Sequence, residues 1–237
     1  MVLAQYASWW TINERNLFSE LCPNSKFDKE IIDDLVVGHI NDQRYRLLSG
    51  QQLNGPWQGR DHWTQETQGY GKKLPTGKSM NKLEWSCSLE KKAKAALDPN
   101  CTDVEPSAPK GKTGLFYKMD IDWEEPELTS AAWAWMEQIE KFAVSDDAIS
   151  QKQVIFKDRD LREYLNLVRP SITKIGCAEA LCVEHGVNKY RAFCLTDKEQ
   201  LKDNDVVYKA GKGGCDKGEK CPKGYNCEMG LCAKANP

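Results

Sequence analysis

The chain has 237 residues with 33 basic and 35 acidic side chains, a net charge of -2 that gives no electrostatic reason to expect nucleic acid or an anionic membrane as partner. Ten cysteines is an even number, and Cys215, Cys221, Cys227 and Cys232 crowd into a tail with little apolar material to form a core. Their spacing is C-x5-C-x5-C-x4-C, with no C-x2-C pair and no histidine beyond His185. That argues for disulfides over zinc, and for an oxidising, extracellular setting. No apolar run approaches the ~20 residues of a membrane span, and the first residues lack the basic-then-apolar layout of a signal peptide. The chain therefore reads as a mature, secreted form.

Residues 1–26 are polar with scattered aromatics and read as an arm pinned through Cys22. From Phe27 to Leu48, Ile31, Ile32, Leu35, Val36, Ile40, Leu47 and Leu48 recur at three- and four-residue steps, with Asp28 as candidate cap and Gly50 past the end, which predicts an amphipathic helix. Residues 51–79 hold seven glycines or prolines around Trp57, His62, Trp63 and Tyr70. A loop of that length is more often functional or disordered than inert. Its tryptophans either cover an exposed core edge or form a partner-contact surface.

A second helix is predicted over Met80 to Leu97, ended by Asp98-Pro99, and Asn100-Cys101-Thr102 is a glycosylation sequon. Thr102 to Thr113 reads as loop and Gly114 to Asp120 as strand. Leu128 to Val144 is a third helix whose Trp133, Trp135, Ile139 and Phe142 read as core, and Lys157 to Val168 is a fourth, closed by Pro170. Ile172 to Cys182 and Lys189 to Thr196 are β-biased runs about a Gly186/Asn188 turn region, the signature of a hairpin in which Cys177 and Cys194 face each other. A charged turn, a short strand at Val206-Val207-Tyr208 and the cysteine-rich tail complete the chain. Helices interleaved with a few strands, two of them antiparallel, predict an α+β domain.

Three stretches carry a more specific resemblance. Met80-Asn-Lys-Leu-Glu-Trp-Ser-Cys-Ser-Leu-Glu-Lys-Lys-Ala, Ile175-Gly-Cys177 with Cys182 and Cys194, and Val207-Tyr208-Lys-Ala-Gly211-Lys leading into the tail are similar to the CAP superfamily of cysteine-rich secretory, antigen 5 and pathogenesis-related 1 proteins. Asn41, Arg44, Leu47 and Gly50, with Pro222-x-Gly-Tyr-x-Cys227 through Gly230-Leu-Cys232, resemble the activation-associated secreted proteins of parasitic nematodes within it. The resemblance implies a three-layer α-β-α sandwich over residues 27–205 and a small disulfide-rich C-terminal hinge over 206–237. It also implies the pairs Cys22–Cys87, Cys101–Cys182, Cys177–Cys194, Cys215–Cys227 and Cys221–Cys232.

Many members of that family carry two histidines and two glutamates in a central cleft able to hold a divalent metal. Here the corresponding stretches read Asp103-Val-Glu-Pro, Gly114-Leu-Phe, Gln138 (or Glu137 on a one-residue shift) and Ile155-Phe-Lys-Asp-Arg, and the family's first-helix histidine falls on Ile40, one residue from His39. The family tetrad is absent, so no metal or cofactor is expected. With only His39, His62 and His185, and without Gly-x-Ser-x-Gly or His-Glu-x-x-His, catalysis is not expected either.

The nematode branch includes antagonists of platelet and leukocyte integrins. The expected function is thus a secreted, non-catalytic effector that binds a host cell-surface receptor, with Trp57, His62, Trp63 and Tyr70 as candidate contacts. The protein is expected to be a monomer or weak dimer that does not insert into membranes. Arg-Gly-Asp is absent, and Lys217-Gly218-Glu219 reads as a solvated turn. The alternative is carriage of a sterol or fatty acid in an apolar groove lined by Leu115-Phe116-Tyr117.

Overall fold

The structure, a computed structural model, describes residues 21–123 and 126–235; most of the N-terminal arm predicted over 1–26 lies outside the described residues. The first helix begins at α1 (Lys29–Ile31), where the Asp28 carboxylate accepts hydrogen bonds from the Glu30 and Ile31 amides. It continues through a π-helical stretch, Ile32–Gly38, into α2 (His39–Leu48). Gly38 accommodates the wide stretch, because a Cβ there would sit 2.8 Å from the Asp33 carbonyl oxygen.

The second helix is shorter than predicted. Residues before it run extended, with β1 (Glu84–Trp85) parallel to the hairpin's first strand, and α3 (Cys87–Ala96) starts only where the Ser86 side chain caps the Leu89 amide. Backbone pairing to the tail and hairpin, including Lys82 N to Cys232 O at 2.8 Å and Glu84 N to Thr173 O at 3.0 Å, overrides local helix propensity there. The third predicted helix is two, α4 (Leu128–Met136) and α5 (Gln138–Lys141), broken at Glu137.

Trp135 and Ile139 are buried, but Trp133 and Phe142 are 48% and 44% exposed, which corrects their reading as core. Residues two apart on a helix cannot share a face, so Trp133 and Trp135 diverge. The fourth helix opens as a 3-10 turn, Arg159–Leu161, and continues as α6 (Arg162–Leu167).

Strand β2 (Thr113–Ile121) pairs antiparallel with β5 (Val187–Thr196), which pairs antiparallel with β4 (Lys174–Glu184); the sheet order is β1-β4-β5-β2. In the hairpin Cys177 lies directly opposite Cys194, and the turn is His185-Gly186, both at positive φ. Alternation along the strands separates two cores. Leu115, Ile175, Cys177, Ala192 and Cys194 face the main core with the long helices, whereas Phe116, Ala178, Phe193 and Leu195 face Leu89 and Ala93 of α3. The result is a three-layer α-β-α sandwich. Gly176 lets α3 approach, since a Cβ there would meet the Glu90 amide nitrogen at 2.3 Å.

Two small sheets complete the fold. One pairs β3 (Gln153–Ile155), not anticipated, with β6 (Val206–Lys209). Val207 and Tyr208 of β6 are buried in the main core. The other, β7 (Tyr225–Glu228) with β8 (Leu231–Lys234), forms the disulfide-rich tail.

Five disulfides, Cys22–Cys87, Cys101–Cys182, Cys177–Cys194, Cys215–Cys227 and Cys221–Cys232, take up all ten cysteines. The first helix is anchored by two polar side chains. Asn41 exchanges hydrogen bonds with the Leu83 backbone at 2.8 and 2.9 Å, and the fully buried Arg44 donates to the carbonyls of Leu167, Asn81 and Ile172.

Candidate functional site

A hydrogen-bonded cluster joins α5, α6 and the loop after α3 around Gln138, the residue that the resemblance aligns with a cleft glutamate. Gln138 donates through Nε2 to Glu163 Oε2 at 2.6 Å and accepts from the Tyr164 amide at 3.0 Å. Arg162 donates from Nε to Glu163 Oε1 at 2.7 Å and from Nη2 to Glu105 Oε1 at 2.8 Å. Burial works against the Arg162 charge, yet the two carboxylates overcome it and hold the guanidinium pKa above its ordinary value.

The group that meets Gln138 is Glu163, not a residue of Ile155-Phe-Lys-Asp-Arg: Ile155 belongs to β3, and Phe156 is buried in the core. Sequence reasoning missed both Arg162 and Glu163. Both fall inside the helix predicted over Lys157 to Val168, where an adjacent arginine and glutamate carry no signal of their own.

These residues do not fit a divalent metal. Ile40 is buried in the core, Gly114 abuts Phe193, and Glu137 pairs with Lys141 at 3.6 Å. Asp103 is bound by Arg191 at 2.5 Å, while His39 stacks on Trp133 instead of facing a carboxylate pair. Among the described residues, the one cluster of ligand-type atoms is Cys215, Cys221 and Cys232, whose sulfurs are all in disulfides.

The aromatic stretch at 51–79 is a finger with a paired stem. Asn54 N bonds Lys72 O at 2.8 Å, Gln58 N bonds Gly69 O at 2.7 Å, and Leu53 and Trp57 bridge Lys73 and Tyr70. Its base is fixed to the loop after α5, because the Asn54 side chain exchanges hydrogen bonds with the Val144 backbone and Gly55 N reaches Ile139 O at 3.1 Å. Trp57 and Trp63 are 55% and 60% exposed, His62 is exposed on the 3-10 turn Arg60–His62, and Tyr70 is half-buried on the stem. The finger thus carries all four candidate contact residues. Trp57 lies against the backbone of Gly69, where an added Cβ would meet Nε1 at 2.1 Å.

The remaining candidates fall elsewhere. Asn100 is exposed and its side chain donates to Asp98, while Cys101 between it and Thr102 is buried and disulfide-bonded. Lys217 and Gly218 lie at the 3-10 turn Cys215–Lys217, and Glu219 folds back to accept from Lys212 N. Leu115 is fully buried and Phe116 packs on the α3 cluster. A surface cavity of about 680 Å³ lies beside the cluster but is lined chiefly by charged groups, among them Arg159, Arg162, Lys202 and Asp203.

Comparison with known proteins agrees with this architecture. The chain is 26% identical over 172 residues to an Ancylostoma secreted protein of Ancylostoma caninum, covering 68% of this chain and 37% of that relative's length. Its fold resembles the crystal structure of Na-ASP-1, with TM-score 0.65, 21% identity, and 92% and 49% of the two chains covered. It also resembles the crystal structure of hookworm platelet inhibitor, with TM-score 0.54, 19% identity, and 92% and 98% covered. No helix among the described residues is long and apolar enough to cross a membrane. Residues 37–196 match the model of the cysteine-rich secretory protein family, CAP, and the chain belongs to that family.

Proposed function

We propose that this chain is a secreted, non-catalytic nematode effector that binds a host cell-surface receptor of the integrin class through the aromatic finger. The observation that carries the reading is the exposure of Trp57 and Trp63 on a finger whose base is hydrogen-bonded to the body. Large aromatic side chains held out from a rigid support supply most of the free energy at protein interfaces, and here their ordering cost is partly met before binding. The fold likeness to hookworm platelet inhibitor supports a role at host blood cells.

A non-catalytic role is supported by the separation of the three histidines: His39 lies on the first helix, His62 on the finger and His185 at the hairpin turn. All ten cysteines are engaged in disulfides, so no thiol is available as nucleophile.

Surface plasmon resonance of the disulfide-intact protein against purified platelet and leukocyte integrins tests the reading. Binding at micromolar concentration or tighter, weakened by Trp57→Ala with Trp63→Ala, is expected. Binding unaffected by both substitutions removes the finger from the proposal. Absence of binding to every integrin, together with lipid extracted from the purified protein, overturns it in favour of carriage.

A further inference from the structure

We infer that Arg162 is a built-in cation that occupies the family's metal cleft, so that this chain has exchanged a divalent metal for a covalently attached guanidinium. The argument starts from donor chemistry. A divalent cation bound by oxygen ligands needs carboxylates that converge with lone pairs unspent. Two carboxylates do converge here, Glu105 and Glu163, and the group between them is Arg162, at 2.8 and 2.6 Å through Nη2.

The second Glu163 oxygen is spent on Gln138 Nε2, an N–H donor at the place where the family has a carboxylate. The Gln138 carbonyl oxygen is in turn spent on the Tyr164 amide. Every oxygen that could face an ion from Glu163 or Gln138 already has a hydrogen-bond partner. The inversion of polarity is consistent across the cluster: two donors, Arg162 and Gln138, converge on Glu163 where a metal's ligands would be acceptors.

The position of Arg162 on the fold points the same way. It lies where the 3-10 turn Arg159–Leu161 runs into α6, between the loop that carries Glu105 and the adjacent Glu163. What holds it is the pair of acids. The planar fork of arginine can bridge both carboxylates at once, and burial of Glu163, only 12% exposed at its side chain, strengthens the pair relative to a surface contact. The cluster joins α5, α6 and the loop at Glu105.

Titration of Mn2+, a cation suited to oxygen ligands, into the native protein and an Arg162→Gln variant tests this by calorimetry. The native protein should show no site that depends on Glu163. The variant, with its fold verified by circular dichroism, should gain one site at least about tenfold tighter than any in the native protein, and adding Glu163→Gln should remove it. Arg162→Lys keeps the positive charge and should exclude Mn2+ as the native protein does.

If Arg162→Gln folds only when Mn2+ is supplied, the inference is supported. A native site lost in Glu163→Gln, a folded Arg162→Gln with no gain, or a variant that fails to fold with and without Mn2+ would overturn it.

Discussion

The imidazole of His39 and the indole of Trp133 stack with centroids 4.0 Å apart and planes 12° from parallel. His39 Nε2 is buried without a hydrogen-bond partner, and burial pushes the His39 pKa below its ordinary value against the opposing pull of Asp42 and Glu137. The folded state therefore disfavours the protonated ring that the unfolded chain accepts near pH 6.5. The associated stability is complete above that pH and is lost as pH falls through the lower folded value. Urea midpoints measured at decreasing pH should drop below about pH 6.5, and His39→Phe should flatten this part of the profile. An unchanged slope in the variant would assign the effect to another group.

Arg44 should be among the most sensitive positions in the chain. Its guanidinium serves the carbonyls of Leu167, Asn81 and Ile172 from a fully buried position, and Arg44→Met leaves all three unpaired. A loss of about 3–5 kcal/mol is expected from denaturant unfolding, against about 1–3 kcal/mol for Asn41→Ala, which strands one backbone donor and one acceptor at Leu83.

Disulfide removal should scale with the chain segment each bond closes. Cys101–Cys182 spans 81 residues and Cys221–Cys232 spans 11, which correspond to about 4.5 and about 3 kcal/mol in the chain-entropy description. Paired serine substitutions should lower Tm more for the first bond than for the second. The reverse order in thermal melts would show that the tail is more tightly coupled to the domain than its loop length implies.

Gly69→Ala should disturb the finger without unfolding the body. The glycine has φ +88° and its missing Cβ leaves room for Trp57, so alanine adds backbone strain and displaces the indole, at a cost of about 1 kcal/mol or somewhat more. A shift in tryptophan emission with an almost unchanged global Tm is expected. An unchanged emission spectrum would mean that Trp57 is not held by this contact.

The hairpin was legible because alternation, a turn with Gly186 and strand-forming runs all agree, and from it Cys177 opposite Cys194 follows directly. The finger was legible only as a long loop rich in glycine and aromatics, since its stem pairs through backbone groups that leave no side-chain period. The pairing of β3 with β6 escaped notice because three residues meet a partner some fifty positions away. Arg162 and Glu163 went unremarked within the predicted fourth helix, and only the approach of Gln138 and Glu105 gives them a shared role. Trp133 was misread because residues two apart on one helix point different ways, so Trp133 and Trp135 of α4 could not both be core.

The wide stretch at Ile32–Gly38 has a consequence for how this chain is matched to its relatives. Each π turn takes up about one residue more than an α turn, so positions before Gly38 slip out of phase with those of a straight helix. The family model begins at residue 37, at the end of this stretch. Against a relative whose helix is straight there, an ungapped correspondence carried upstream of Gly38 would equate residues on different faces.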